Sequence, residues 1–152
     1  MLIRRDRGFS LLELLIVVAI ILIIATIAIP SLLRSRQAAQ ESSAVAQTRT
    51  INTAEVTYLS SNQGNYGSVA ALISQGLLDT RFTGQVSGYI FTVAATGSSY
   101  SAGATPTSGN AGRYAYTSGP DAVIYYSTVT SGCGGSGGNC FPTGQSGAPV
   151  SG

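Results

Sequence analysis

The chain has 152 residues, enough for one folded head but short for two independent domains, and its net charge of +2 comes from Arg4, Arg5 and Arg7 against Asp6. Beyond residue 8 the five acids (Glu13, Glu41, Glu55, Asp79, Asp121) cancel the five arginines (Arg34, Arg36, Arg49, Arg81, Arg113), so no general basic field argues for nucleic acid as a partner. Histidine and lysine are absent, which removes the commonest general base, the commonest metal ligand and the Schiff-base residue, so an enzyme is not expected and no cofactor is called for.

Leu14 to Pro30 reads LLIVVAIILIIATIAIP, and Leu32 and Leu33 follow. A helix over 9–33 would be about 37 Å long at 1.5 Å per residue, longer than a hydrocarbon core of about 30 Å. The basic residues precede this run and the polar bulk follows it, which places the N-terminus in the cytoplasm and the remainder outside. The run is longer than the apolar region of a secretory signal and is expected to stay in the mature chain. Pro30 offers no N–H to the Thr26 carbonyl and disfavours regular geometry at Ile29, so a kink is expected there.

From Ser31 to about Ser61 the composition turns to alanine, glutamine, serine, threonine and scattered charge, with no glycine or proline before Gly64. One continuous helix that changes from apolar to amphipathic is the simplest reading. Ile51, Ala54 and Tyr58 share a face, while Arg34, Arg36 and Arg49 are read as solvated or paired with Glu41 and Glu55. Asn62–Asn65 (NQGN) stops the helix, and Ser68 caps a short second helix closed by Gly76. Strands follow at Tyr89–Ala94, Tyr100–Ala102, Arg113–Thr117 and Ala122–Thr128. Tyr89, Phe91 and Val93 alternate onto one face, and a three- or four-stranded antiparallel sheet on the second half of the helix would bury it. The fold class is therefore α+β.

Arg7 to Val18 reads RGFSLLELLIVV. With Gly8, Phe9, Glu13 and the apolar run containing Pro30, it resembles the N-terminal processing and methylation signature of type IV pilins and the pseudopilins of type II secretion. The resemblance implies cleavage after Gly8 by a prepilin peptidase, which then methylates Phe9. It also implies a homopolymer built with minor pilins, an inner-membrane assembly platform and an assembly ATPase. The precursor would sit in the inner membrane and the product in an extracellular pilus filament. A carboxylate within hydrocarbon is unfavourable by at least about 2.5 kcal/mol, so Glu13 needs a partner. The Phe9 amine released by cleavage, one helical turn away, would supply one within the chain or from a neighbouring subunit. In the resembled family the segment at Pro30 can loosen when helices bundle.

The tail from Thr130 is rich in glycine, serine and proline and cannot form much core. Cys133 and Cys140 would face an oxidising compartment, and the reading is a disulfide closing a small ring; two such ligands without histidine or nearby acids make a poor metal or redox site. The expected organisation is a leader over 1–8, a membrane-spanning and filament-core helix over 9–33, its amphipathic continuation over 34–62, a loop and sheet head over 63–129, and the tail over 130–152. The leading function is a type IV pilus subunit, with a secretion pseudopilin as the alternative within the family. A membrane-anchored binding module that never polymerises is the alternative outside it.

Overall fold

The computed structural model describes residues 9–128 and 148–150. The chain divides into two compact units between Ser35 and Arg36. A 51-residue helix, α1 (Leu11–Ser61), supplies most of the first unit and the opening element of the second.

In the first unit α1 is long and apolar enough to cross a membrane. Its leucine, isoleucine and valine side chains are exposed throughout, as in Leu11 at 79 % and Ile27 at 74 %. A surface of this kind needs lipid or other helices around it. The helical span includes Pro30, and the hydroxyl of Thr26 is satisfied locally by donating to the Ile23 carbonyl at 2.7 Å.

The second unit is an antiparallel sheet covered by residues 36–61 of α1. Glu41, Ala44, Thr48, Ile51, Asn52 and Glu55 are buried, and their steps of three and four residues mark one stripe of the helix. On the exposed side, the hydroxyls of Thr50, Thr53 and Thr57 each donate to the carbonyl four residues earlier, at 3.2, 3.0 and 2.8 Å. The helix ends as Gln63 and Gly64 adopt φ values of 55° and 79°. Next comes α2 (Val69–Ser74), whose first turn is capped by Ser68 Oγ accepting from the Ala71 N–H. A 3₁₀ turn over Thr80–Thr83 is capped in the same way by Asp79.

The six strands are β1 (Gln85–Val86), β2 (Tyr89–Thr96), β3 (Ser99–Pro106), β4 (Tyr114–Ser118), β5 (Ile124–Thr128) and β6 (Ala148–Pro149). They lie in sequence order as an antiparallel meander. The turn between β1 and β2 uses Ser87 and Gly88 at φ 50° and 82°, which suits the right-handed twist of a two-residue hairpin. Across the sheet Phe91 faces Ala104, Ala104 faces Tyr116, and Tyr116 faces Tyr126. The core gathers Ile51 from α1, Leu72 from α2, Phe82 from the 3₁₀ turn, and Tyr89, Phe91, Tyr100 and Ile124 from the sheet. Ala102 and Ala104, both fully buried, keep the middle of the sheet low beneath the helix.

The α+β class and the antiparallel head match the expectation; the strand count does not. The sheet has six strands rather than three or four, because β1 and β6 are two residues long and carry no alternation that a sequence could display. β3 is longer than Tyr100–Ala102, since its Ala-Gly-Ala centre is buried without large apolar residues. β5 starts at Ile124 rather than Ala122, because Ala122 has a φ of 56° in the preceding turn.

Candidate functional site

The residues expected to direct processing and assembly fall at the start of α1. Phe9 and Ser10 precede the helix, and Glu13 occupies its first turn. There the unpaired N–H groups favour a carboxylate. Phe9 is 73 % exposed, and the apolar side chains next to Glu13 are exposed as well. The structure thus brings Phe9 and Glu13 to one end of the helix, with Pro30 about 26 Å further along at 1.5 Å per residue. Gly8, the leader over 1–8, Cys133 and Cys140 lie outside the described residues.

Farther along α1, a second set of residues ties the helix to the sheet. Glu41 Oε1 accepts from the backbone N–H of Arg113 at 2.8 Å and from its Nε at 3.1 Å, while Oε2 accepts from Nη2 at 3.0 Å. Burial pushes the Glu41 carboxyl upward, but the hydrogen bonds and charge of Arg113 outweigh it and hold the group below the usual carboxylate range. Beside this pair, Gln37 Nε2 donates to the Gly109 carbonyl at 2.7 Å. The Arg113 guanidinium also lies 5.1 Å from the centre of the Tyr114 ring.

Asn52 makes the next connection. Its Nδ2 donates to Ser118 Oγ at 2.8 Å, and its Oδ1 accepts from the Tyr100 hydroxyl at 3.0 Å. Ser118 in turn donates to the Val123 carbonyl at 2.9 Å, so this buried polar chain runs from β3 through α1 to β4 and the turn before β5. Glu55, fully buried, accepts from the Gly67 N–H through Oε2 at 3.0 Å. Desolvation raises its carboxyl above the usual range, and that one hydrogen bond offsets the effect only in part.

Of the two readings of Arg34, Arg36 and Arg49, solvated or paired with the two glutamates, the first fits these partners. All three arginines are exposed; Glu41 is taken by an arginine 72 residues away, and Glu55 by a backbone N–H. Sequence spacing did hold one clue. Glu41, Thr48, Asn52 and Glu55 share the three-and-four rhythm of Ala44 and Ile51, which marks polar groups on a buried stripe.

Glu41 also borders an open recess of about 220 Å³ on the sheet, with Val45, Tyr114, Tyr116, Tyr126 and Val150. Burial, together with the Glu41 charge and neighbouring tyrosines, pushes the Tyr116 hydroxyl up to about 12, so it stays protonated and neutral. With Glu41 occupied by Arg113, the recess offers neither a nucleophile with an adjacent base nor an open set of metal ligands. Among the described residues no group of three or more His, Cys, Asp or Glu side chains is placed to hold a metal.

Residues 3–29 match the family described as the prokaryotic N-terminal methylation motif. The chain is 40 % identical over 77 residues to the type IV wide pilus major component PilA4 of Thermus thermophilus, covering 51 % of this chain and 59 % of that protein. It is 43 % identical over 56 residues to the type IV major pilin protein PilA of Myxococcus xanthus, covering 37 % and 26 %. In both cases the match spans less than two thirds of the relative's length. With the methylation motif laid over Phe9, Glu13 and the exposed apolar helix, and an antiparallel sheet under the second half of α1, the chain carries the N-terminal motif of prokaryotic methylated proteins and is similar to two type IV pilins over part of its length.

Proposed function

We propose that the chain is a structural subunit of a type IV pilus rather than an enzyme, polymerising through α1 once its leader has been removed and Phe9 methylated. The observation that carries this reading is the placement of Phe9 and Glu13 at the start of a helix whose apolar side chains have no cover of their own. Cleavage after Gly8 creates a cation at Phe9 beside the one acid of the apolar stretch, and methylation leaves its charge in place. An acid isolated in hydrocarbon is unfavourable by at least about 2.5 kcal/mol, so Glu13 draws a Phe9 amine toward it, its own or that of an incoming subunit. The pairing between subunits fixes axial register while the apolar side chains exchange lipid for one another. Pro30 relaxes the helix where neighbouring helices pack.

The partners on this reading are the prepilin peptidase and methylase, the inner-membrane platform with its ATPase, minor pilins and further copies of the chain. The precursor is held in the inner membrane and the product is an extracellular filament. Both named relatives are pilus components, which favours a pilus over a secretion pseudopilus. Cys133 and Cys140 close a disulfide in this exported product.

Intact-mass and N-terminal analysis of sheared surface filaments tests the reading. The expected chain begins at N-methylated Phe9 and is two hydrogens lighter than its reduced form. Filaments built from chains that still carry Met1–Gly8 overturn it. Glu13→Ala is expected to insert into the membrane normally and to lower filament yield sharply, and an unchanged yield removes Glu13 from assembly.

A further inference from the structure

Glu55 plays no part in the assembly chemistry proposed for Phe9 and Glu13, yet it is 0 % exposed. Its Oε2 accepts the Gly67 N–H at 3.0 Å, and its Oε1 has no hydrogen-bond partner among the described residues. A buried carboxylate needs several donors or a cation, whereas a neutral carboxyl left with one unpaired oxygen is far less unfavourable.

The segment that Glu55 holds is closely fitted. Gly67 is buried, and a Cβ there would come within 2.9 Å of Tyr58 Cε1 and 3.0 Å of Cζ, so the backbone lies directly on the ring. The adjacent Tyr66 donates its N–H to the Gly97 carbonyl at 2.8 Å, and its ring packs on Tyr100 with centroids 4.6 Å apart. The titratable groups at this contact are Tyr100 on β3, whose hydroxyl feels the Glu55 charge, Tyr66 on the loop, packed on Tyr100, and Tyr58 on α1, packed on Gly67. The Tyr100 hydroxyl is committed to Asn52 Oδ1, and Asp121 adds only further negative charge toward it. Among the described residues no arginine acts to hold Glu55 ionised, and Arg49 on the same helix is exposed.

We propose that Glu55 is a protonation latch on the loop between α1 and α2: with a neutral carboxyl, residues 65–68 stay seated on the helix, and ionisation lifts them away so that water reaches the charge. The upward displacement of its ionisation by burial sets the sign. The native loop retains the proton longer than the open chain does, so closure is complete at and below the ordinary carboxylate range and is lost as pH rises through the higher native value. Between the ordinary carboxylate range and that higher native value, each pH unit lowers the ratio of closed to open loop by up to roughly tenfold, and above the native value the ratio levels off. The loop connects the helix to the head, so the latch couples the surface beside α1 to the acidity outside the cell.

The full chain in detergent micelles, labelled with ¹³C at glutamate carboxyls, tests this by NMR titration together with Gly67 amide exchange. The expected result is a Glu55 carboxyl that titrates above the ordinary range, Tyr66 and Gly67 signals that move with the same midpoint, and Gly67 protection that falls by up to roughly tenfold per pH unit as that midpoint is approached and levels off beyond it. Glu55→Gln, which keeps the shape and cannot ionise, is expected to flatten this dependence. Titration in the ordinary range, or loop signals that ignore the Glu55 midpoint, overturns the proposal. Should the glutamine variant fail to fold, the wild-type titration decides alone.

Discussion

Gly112 marks the closest approach in the head, and Gly112→Ala is the sharpest test of its packing. A Cβ at this position would stand 1.9 Å from Tyr89 Oη, 2.6 Å from Cζ and 3.0 Å from Cε2, against a normal carbon separation of about 3.5–4.0 Å. The ring has no easy retreat, because Tyr89 is 0 % exposed and its hydroxyl donates to the Tyr114 carbonyl at 3.0 Å. Moving the backbone instead draws Arg113 off Glu41. Overpacking of this kind destabilises by about 1–3 kcal/mol, and loss of one hydrogen bond adds about 1 kcal/mol. The expected loss is about 2–4 kcal/mol, or roughly thirty- to a thousandfold in the folded-to-unfolded ratio. Urea unfolding in detergent micelles, followed by tyrosine near-ultraviolet circular dichroism, measures it. Tyr89→Phe removes the nearest clashing atom but leaves Cζ in place, so the double variant is expected to recover about 1 kcal/mol relative to the sum of the singles. A Gly112→Ala variant within about 0.5 kcal/mol of wild type, or strict additivity with Tyr89→Phe, refutes the contact.

Three further outcomes follow from the same geometry. Ile51→Ala, at a fully buried position, is expected to destabilise the head by about 2–5 kcal/mol in the same urea assay, while Val56→Ala, at a position 54 % exposed, stays within about 0.5 kcal/mol. Asn52→Ala leaves the Tyr100 hydroxyl without its acceptor and Ser118 Oγ without a donor, a loss of about 1–3 kcal/mol that Tyr100→Phe partly relieves in a double-variant cycle. Glu41 has a lowered native pKa, so its contribution is present above the ordinary carboxylate range and is lost as pH falls through the native value. Urea midpoints measured against pH are expected to show an acid-side decline that Glu41→Gln removes.

The long helix, the stop at Asn62–Asn65 and the Ser68 cap were legible because each rests on local chemistry: apolar continuity, residues suited to positive φ, and a hydroxyl next to free N–H groups. Tyr89 and Phe91 could be placed on the buried face of β2 because alternation is also local. What escaped depends on distant chain. Nothing near Glu41 indicates that its partner is Arg113, and the three arginines closer in sequence are plausible on charge alone. The donor to Glu55 is a main-chain N–H, which no side-chain pattern reports. The middle of β3 went unread for the opposite reason, since alanine and glycine are buried there for lack of bulk rather than for hydrophobicity.

The threonines on the open side of α1 spend their hydroxyls on their own helix, Thr50, Thr53 and Thr57 each bonding one turn back. With those hydroxyls engaged, the groups these exposed positions have left to offer are methyls, on the same helix as exposed Val56. Withdrawing this strip from water therefore leaves none of the three threonine hydroxyls without a partner. Threonine at these positions thus serves as a valine that can also live at a wet surface.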